Sequence, residues 1–165
     1  MKPYLIFDIE TDSPKPEEAN LKWFGAYSYI DKKYYLLDYT HKDEILNLIK
    51  RHTHLIGFNN NNFDIPITKK FLGEDAFKYK IILDLWECLA PKGNNGFGSY
   101  NKGRLLQMGI TDLPNYKLKT ICDFLKLDEF SKGDIDYNIF KKNYWTKAEV
   151  AEIKKYLKQD TARLI

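Results

Sequence analysis

Tyr4-Leu5-Ile6-Phe7-Asp8-Ile9-Glu10 is an apolar run that ends in two carboxylates separated by one residue. It is too short and too rich in β-formers for a helix, so it reads as a buried strand over residues 3–9. Side chains alternate along a strand, which puts Asp8 and Glu10 on the same side. Like charges held that close raise each other's pKa unless something positive sits between them. A hard divalent cation such as Mg²⁺ or Mn²⁺ suits that place. Alone, the pair also fits a solvated strand end, so its weight depends on partners elsewhere in the chain.

Beyond this strand, Ser13-Pro14-Lys15-Pro16-Glu17-Glu18 is a polar loop twice broken by proline. Residues 23–30 alternate as a second strand, Asp31-Lys32-Lys33 turns, and Tyr34-Tyr35-Leu36-Leu37-Asp38-Tyr39 returns as a third, making an N-terminal three-strand meander. Ile45, Leu48 and Ile49 fall at helical spacing over about 42 to 52. Leu55-Ile56-Gly57-Phe58 is a short strand that runs into Asn59-Asn60-Asn61-Asn62. Phe63-Asp64-Ile65-Pro66 then opens a helix to about Leu72, with proline tolerated in its first turn. Ile81-Ile82-Leu83-Asp84-Leu85 is a further buried strand, a glycine-rich stretch covers 93–103, and Leu118, Ile121, Cys122 and Leu125 mark a helix. Thr146-Lys147-Ala148-Glu149 has capping-box spacing and starts a last helix that runs to the end. Meandering strands followed by alternating strands and helices predict an α/β fold: a mixed central sheet flanked by helices on both faces.

The 165 residues, 44% hydrophobic and 15% aromatic, suit one domain spanning 1–165. Net charge +3 and pI 8.6 permit a phosphate-bearing partner without demanding one. The positive charge is mostly lysine, with arginine only at 51, 104 and 163. Cys88 and Cys122 lack metal or redox spacing and read as buried free thiols. The histidines show no metal spacing either. Without a secretory pattern or an apolar stretch of membrane-spanning length, no membrane association and a cytoplasmic location are the expectation.

Three separated places combine acid with other polar chemistry: Asp8 to Thr11, Asn59 to Asp64, and Tyr156 to Asp160. Each has a plain structural reading. The asparagines can be a turn, Asp64 a helix cap or dipole partner, Tyr156 a core residue and Asp160 a solvated charge. Tyr156 and Asp160, four apart, share a helix face.

Taken together and in order, Phe7-Asp8-Ile9-Glu10-Thr11, Asn59-Asn60-Asn61-Asn62-Phe63-Asp64-Ile65-Pro66 and Tyr156-Leu157-Lys158-Gln159-Asp160 resemble the three motifs of the DEDD superfamily of 3′–5′ exonucleases, whose fold is RNase H-like. The tyrosine four residues before the last aspartate is similar to the DEDDy branch. The second motif looks most like the proofreading domain of family B DNA polymerases, and Tyr116 to Leu125 is similar to the segment that lies between motifs two and three. The chain stops at Ile165, soon after the third motif, so it is expected to be a stand-alone nuclease or the exonuclease part of a split or truncated system.

The resemblance implies that Asp8, Glu10, Asp64 and Asp160 ligate two divalent cations, Mg²⁺ or Mn²⁺. Tyr156 is implied to orient the attacking water, because its ordinary pKa near 10 makes it a poor base. Thr11, Asn59 and Phe63 are implied to hold the terminal nucleotide, with core packing an equal reading for Phe63. Asp84 stays outside the metal set, as a possible support behind it. Phe97, Tyr100, Lys102 and Arg104 interleave aromatics and cations within a loop that could touch a single strand. The implied substrate is the 3′ end of single-stranded DNA, with RNA possible. A replication or repair protein is a possible partner, and the oligomeric state is not legible. A nucleic-acid-binding or assembly module without hydrolysis is the reading from another class, disfavoured by the cost of clustered acids put to no use.

Overall fold

In the computed structural model, which describes residues 3–89, 117–126 and 134–165, the apolar run at the N-terminus becomes the middle of a sheet. Strand β1 is Tyr4–Thr11, β2 Leu21–Ser28, β3 Lys33–Asp38, β4 His54–Gly57 and β5 Ile81–Asp84. Their order is β3-β2-β1-β4-β5. The meander β1-β2-β3 is antiparallel, whereas β4 and β5 run parallel to β1. This is the mixed sheet, with an N-terminal antiparallel meander, that the order of strands and helices predicts. The helices are α1 (Lys42–Arg51), α2 (Asp64–Leu72), α3 (Leu85–Leu89), α4 (Leu118–Phe124) and α5 (Lys147–Ala162).

The period of two along β1 and β2 divides the core. Leu5, Phe7 and Ile9 join Phe24 and Ala26 against Ile45, Leu48 and Ile49 of α1 and Ile65 and Ile67 of α2. Phe7 stacks on Phe24 with ring centroids 5.4 Å apart. The other face is covered by α5, whose Ile153, Tyr156 and Leu157 pack with Trp23 and with Phe140. Strand β2 is therefore buried on both faces and reads as a nearly continuous apolar run.

Several boundaries move for local reasons. The second strand ends at Ser28 rather than Ile30, because the Ser28 carbonyl and hydroxyl accept the N–H groups of Lys32 and Asp31, at 2.7 and 3.1 Å. Lys32 closes that turn at φ 55°. The capping box forms as expected, with Thr146 and Glu149 each accepting the other's backbone N–H. The last helix stops at Ala162, short of the predicted end, and Arg163 caps it. Cys122 is a buried free thiol, but Cys88 is only half-buried, correcting that expectation, and β5, expected to be buried, lies at the sheet edge with Ile81 and Leu83 exposed. The glycine-rich stretch 93–103, with Phe97, Tyr100, Lys102 and Arg104, and Tyr116 lie outside the described residues. Among the described residues, no helix is long and apolar enough to cross a membrane.

Candidate active site

Asp8 and Glu10 leave β1 on the face covered by α5. Asp8 pairs in register with Gly25 of β2, and Glu10 with Trp23. A Cβ on Gly25 would stand 3.1 Å from Leu157 Cδ2 and 3.1 Å from Thr161 Oγ1. Glycine there lets α5 lie close to the sheet, which carries Asp160 to the two strand acids. Carboxylate oxygens of Asp8, Glu10 and Asp160 all lie within 4.8 Å of one another, and no other such cluster occurs among the described residues. Glu10 and Asp160 are buried and Asp8 is half-buried.

Asp64 stands outside this trio but is tied to the same strand. Its Oδ1 accepts the N–H of Ile9, the residue between Asp8 and Glu10, at 3.0 Å. It begins α2 without serving as its cap, so it braces the helix against β1. Burial, with the Asp84 charge adding to it, pushes its carboxyl up to about 7, and the backbone N–H groups of Ile9 and Asp64 oppose the rise. The folded value thus lies above the unfolded value of 3.8. The folded state holds the proton in between, and stability from this group is lost as pH rises from about 4 through about 7. Asp64→Asn is therefore expected to stabilise the metal-free protein, by an increment that grows from pH 5 to pH 7.5. Thermal unfolding of both proteins at the two pH values measures it.

The turn before Asp64 is built around Asp84, the last residue of β5. One oxygen of Asp84 accepts the N–H of Asn59 at 2.8 Å and of Trp86 at 2.9 Å, and the other accepts that of Asn61 at 3.0 Å. It supports the Asn59–Asn62 turn from behind and opens α3 as well. Asn59 adopts φ 59°, which asparagine tolerates, and its side chain accepts from Asn62 Nδ2. The turn reading of the asparagines holds, and Asn59 lines the same cavity as Asp64.

Tyr156 is buried in the core cluster under α5, and its hydroxyl lies 2.7 Å from that of Tyr137. Burial raises its pKa far above the ordinary value, and Glu10, the Tyr137 bond and Asp160 push the same way. It is a neutral hydroxyl at physiological pH. Arg163 places Nη1 3.4 Å from Asp160 Oδ1.

Two cavities meet here. One of about 590 Å³ is lined by Asp8, Glu10, Asp64, Asp160 and Asn59, with Lys117, Lys119 and Arg163 supplying positive charge. The other, about 520 Å³, is lined by Thr11, Tyr137 and Lys141. Phe63 borders both and also packs against the main core, so neither reading of it excludes the other. The Thr11 hydroxyl donates to the Ser13 carbonyl at 2.7 Å. Tyr137, Lys141 and Arg163 are additions that sequence reasoning missed. Tyr137 and Lys141 lie in no motif, and Arg163 is marked only by being a rare arginine just beyond the third one. The histidines take no part: His52 is buried between the Ser28 hydroxyl and the Leu48 carbonyl.

An all-carboxylate donor set this tight suits hard, oxygen-seeking divalent cations, and the lack of sulfur and imidazole donors argues against zinc.

Comparison with known proteins agrees with this architecture. No match is found among curated protein sequences. Of solved structures, the family B DNA polymerase from the hyperthermophilic archaeon Pyrobaculum calidifontis is similar over 98% of this chain and 23% of its own, at 14% identity and TM-score 0.65. A product-bound exonuclease I is similar over 98% of this chain and 44% of its own, at 16% identity and TM-score 0.52. A complex of SSB and exonuclease I with the inhibitor CFAM gives 15% identity, 98% and 40% coverage and TM-score 0.54. The chain spans less than half the length of each of these. The family model described as the RNase_H superfamily matches residues 5–164. On that match over nearly its whole length, the chain belongs to the RNase_H superfamily.

Proposed function

We propose that the protein is a metal-dependent DEDDy-type nuclease that removes nucleotides from the 3′ end of single-stranded DNA. The observation that carries this reading is the meeting of Asp8, Glu10 and Asp160 within 4.8 Å, beside Asp64 and in a cavity that also holds cationic side chains. The three motifs and the likeness of fold to exonuclease I support it.

Asp8, Glu10, Asp64 and Asp160 would hold two ions, Mg²⁺ or Mn²⁺. Bound divalent cations supply a water of lowered pKa and stabilise charge on the leaving oxygen. The Ile9 N–H fixes the Asp64 carboxyl in place, and Asp84 fixes the turn that delivers it. The Tyr156 hydroxyl, held by Tyr137, orients the attacking water by hydrogen bonding and takes no proton. Thr11, Asn59 and Phe63 border the space for the terminal nucleotide. Tyr156→Phe keeps the ring and loses the hydroxyl, so kcat is expected to fall about 10²-fold with KM nearly unchanged. Steady-state rates on a short oligonucleotide test this.

The reading itself is tested with 5′-labelled DNA and RNA oligonucleotides of matched sequence, incubated with Mg²⁺ or Mn²⁺. Stepwise shortening of the DNA from its 3′ end supports it. Shortening of the RNA alone changes the substrate, and tight binding without cleavage under either metal makes the protein a binding module.

A further inference from the structure

Arg163 is a buried cation inside a cavity otherwise organised by acids. Its side chain is 3% exposed and that of its partner Asp160 8%. The two stand three residues apart at the C-terminal end of α5, where the helix dipole also favours a positive group. A guanidinium does not deprotonate in proteins, so this charge is permanent. Burial leaves it poorly screened by salt. Burial also pushes the Cys122 thiol of α4 up, with Arg163 opposing the rise and Asp123 and Asp160 adding to it. Lys117 and Lys119 line the same cavity but are exposed, and Lys119 pairs with Asp123 at 2.6 Å. Arginine is rare in this lysine-rich chain, and at 163 its Nη1 stands 3.4 Å from one oxygen of Asp160.

Asp160 thus faces two kinds of cation: the fixed guanidinium, and any divalent ion drawn to the trio with Asp8 and Glu10. A permanent charge beside one ligand opposes the second kind. A phosphodiester brings negative charge that a guanidinium can bind with two parallel hydrogen bonds. That removes the opposition while adding an attraction.

We propose that Arg163 is the internal counter-cation of the site: it holds Asp160 when no nucleic acid is bound, weakens divalent-cation binding in that state, and couples tight cation binding to the arrival of a substrate phosphate. This rests on the nuclease reading above and adds regulation of metal loading by substrate. The protein would then bind its ions weakly between turnovers and firmly during them.

The test compares the wild type with Arg163→Gln and Arg163→Lys, without measuring catalysis. Mn²⁺ binding to the nucleic-acid-free protein is read from the electron paramagnetic resonance of free Mn²⁺. Oligonucleotide binding is read by fluorescence anisotropy in Ca²⁺. Arg163→Gln is expected to bind Mn²⁺ about tenfold more tightly, the effect of removing one unit charge a few ångströms away. It is expected to bind the oligonucleotide about tenfold more weakly. Arg163→Lys keeps the charge and loses the fork, so its Mn²⁺ affinity should stay at the wild-type level while oligonucleotide affinity falls. If Arg163→Gln fails to fold, the lysine variant alone decides. Unchanged or weaker Mn²⁺ binding in folded Arg163→Gln, or unchanged oligonucleotide binding in Arg163→Lys, overturns the proposal. An Asp8→Ala control separates the two claims. If Asp8→Ala loses Mn²⁺ binding while Arg163→Gln matches the wild type, only the role of Arg163 fails. If Asp8→Ala binds Mn²⁺ like the wild type, the nuclease reading fails as well.

Discussion

Asp8→Ala is expected to abolish nucleotide release while leaving the metal-free protein at least as stable as the wild type. The two halves have one cause. Asp8 is held within 4.8 Å of Glu10 and Asp160, so without a divalent cation its charge repels theirs, Arg163 offsetting only part of this at Asp160, and removing it relieves the fold. Asp8 is only half-buried, and alanine at a strand position opposite Gly25 leaves no deep cavity. With cations and substrate present the same carboxylate becomes indispensable. Stabilisation of charge by a bound metal is worth several kcal/mol, so the rate should fall about 10³-fold or more. Loss of activity through unfolding would lower the thermal transition together with the rate. The predicted signature is a transition that holds or rises while the rate collapses. Activity within tenfold of the wild type would remove Asp8 from the mechanism.

Gly25→Val should damage both stability and rate. A Cβ at this position already meets Leu157 Cδ2 and Thr161 Oγ1 at 3.1 Å, and valine adds two methyl groups to the contact. Leu157 is fully buried and Thr161 is held by a 2.8 Å bond to the Leu157 carbonyl, so neither side chain has room to swing away. The strain falls on α5, which must lift from β2. Overpacking of this kind costs about 1–3 kcal/mol, which urea denaturation will read as a lower midpoint at unchanged slope. Because α5 carries Tyr156 and Asp160, the same movement opens the acid trio. A displacement near 1 Å at a reacting centre costs about 10²-fold in rate, measured at a temperature where the variant remains folded. Gly25→Ala should show the same direction at smaller size. A Gly25→Val protein with wild-type stability and rate would mean that the helix does not position the acids.

What could be read along the chain was local. The alternation of β1 states which side Asp8 and Glu10 share, and the spacing of Thr146 and Glu149 states where α5 begins; both depend on residues a few positions apart. The three motifs mark most of the acids, and the fold gathers Asp8, Glu10 and Asp160 as one cluster. What could not be read depends on distant pairs. The Ile9 N–H and Asp64 are 55 residues apart, Asn59 and Asp84 are 25 apart, and Tyr137 and Tyr156 are 19 apart. None of these partners announces itself by period or composition. Gly25 in an alternating strand looks like a weak strand residue until the helix above it is known. Nothing local to Arg163 marks it as buried, and its burial follows only from where the end of α5 lies. The early end of β2 has a different, local origin: Ser28 accepts from Asp31 and Lys32, three and four residues on, through bonds that strand propensity ignores.

The most direct test of the central claim is anomalous diffraction from crystals of the protein grown with Mn²⁺ and a short thymidine oligonucleotide, using Tyr156→Phe to slow turnover. The account predicts anomalous density bounded by Asp8, Glu10, Asp64 and Asp160, with the 3′ end of the oligonucleotide entering the cavity between Asn59 and Phe63. Ordered oligonucleotide with no anomalous density at the acids, or with its 5′ end at the site, would contradict it.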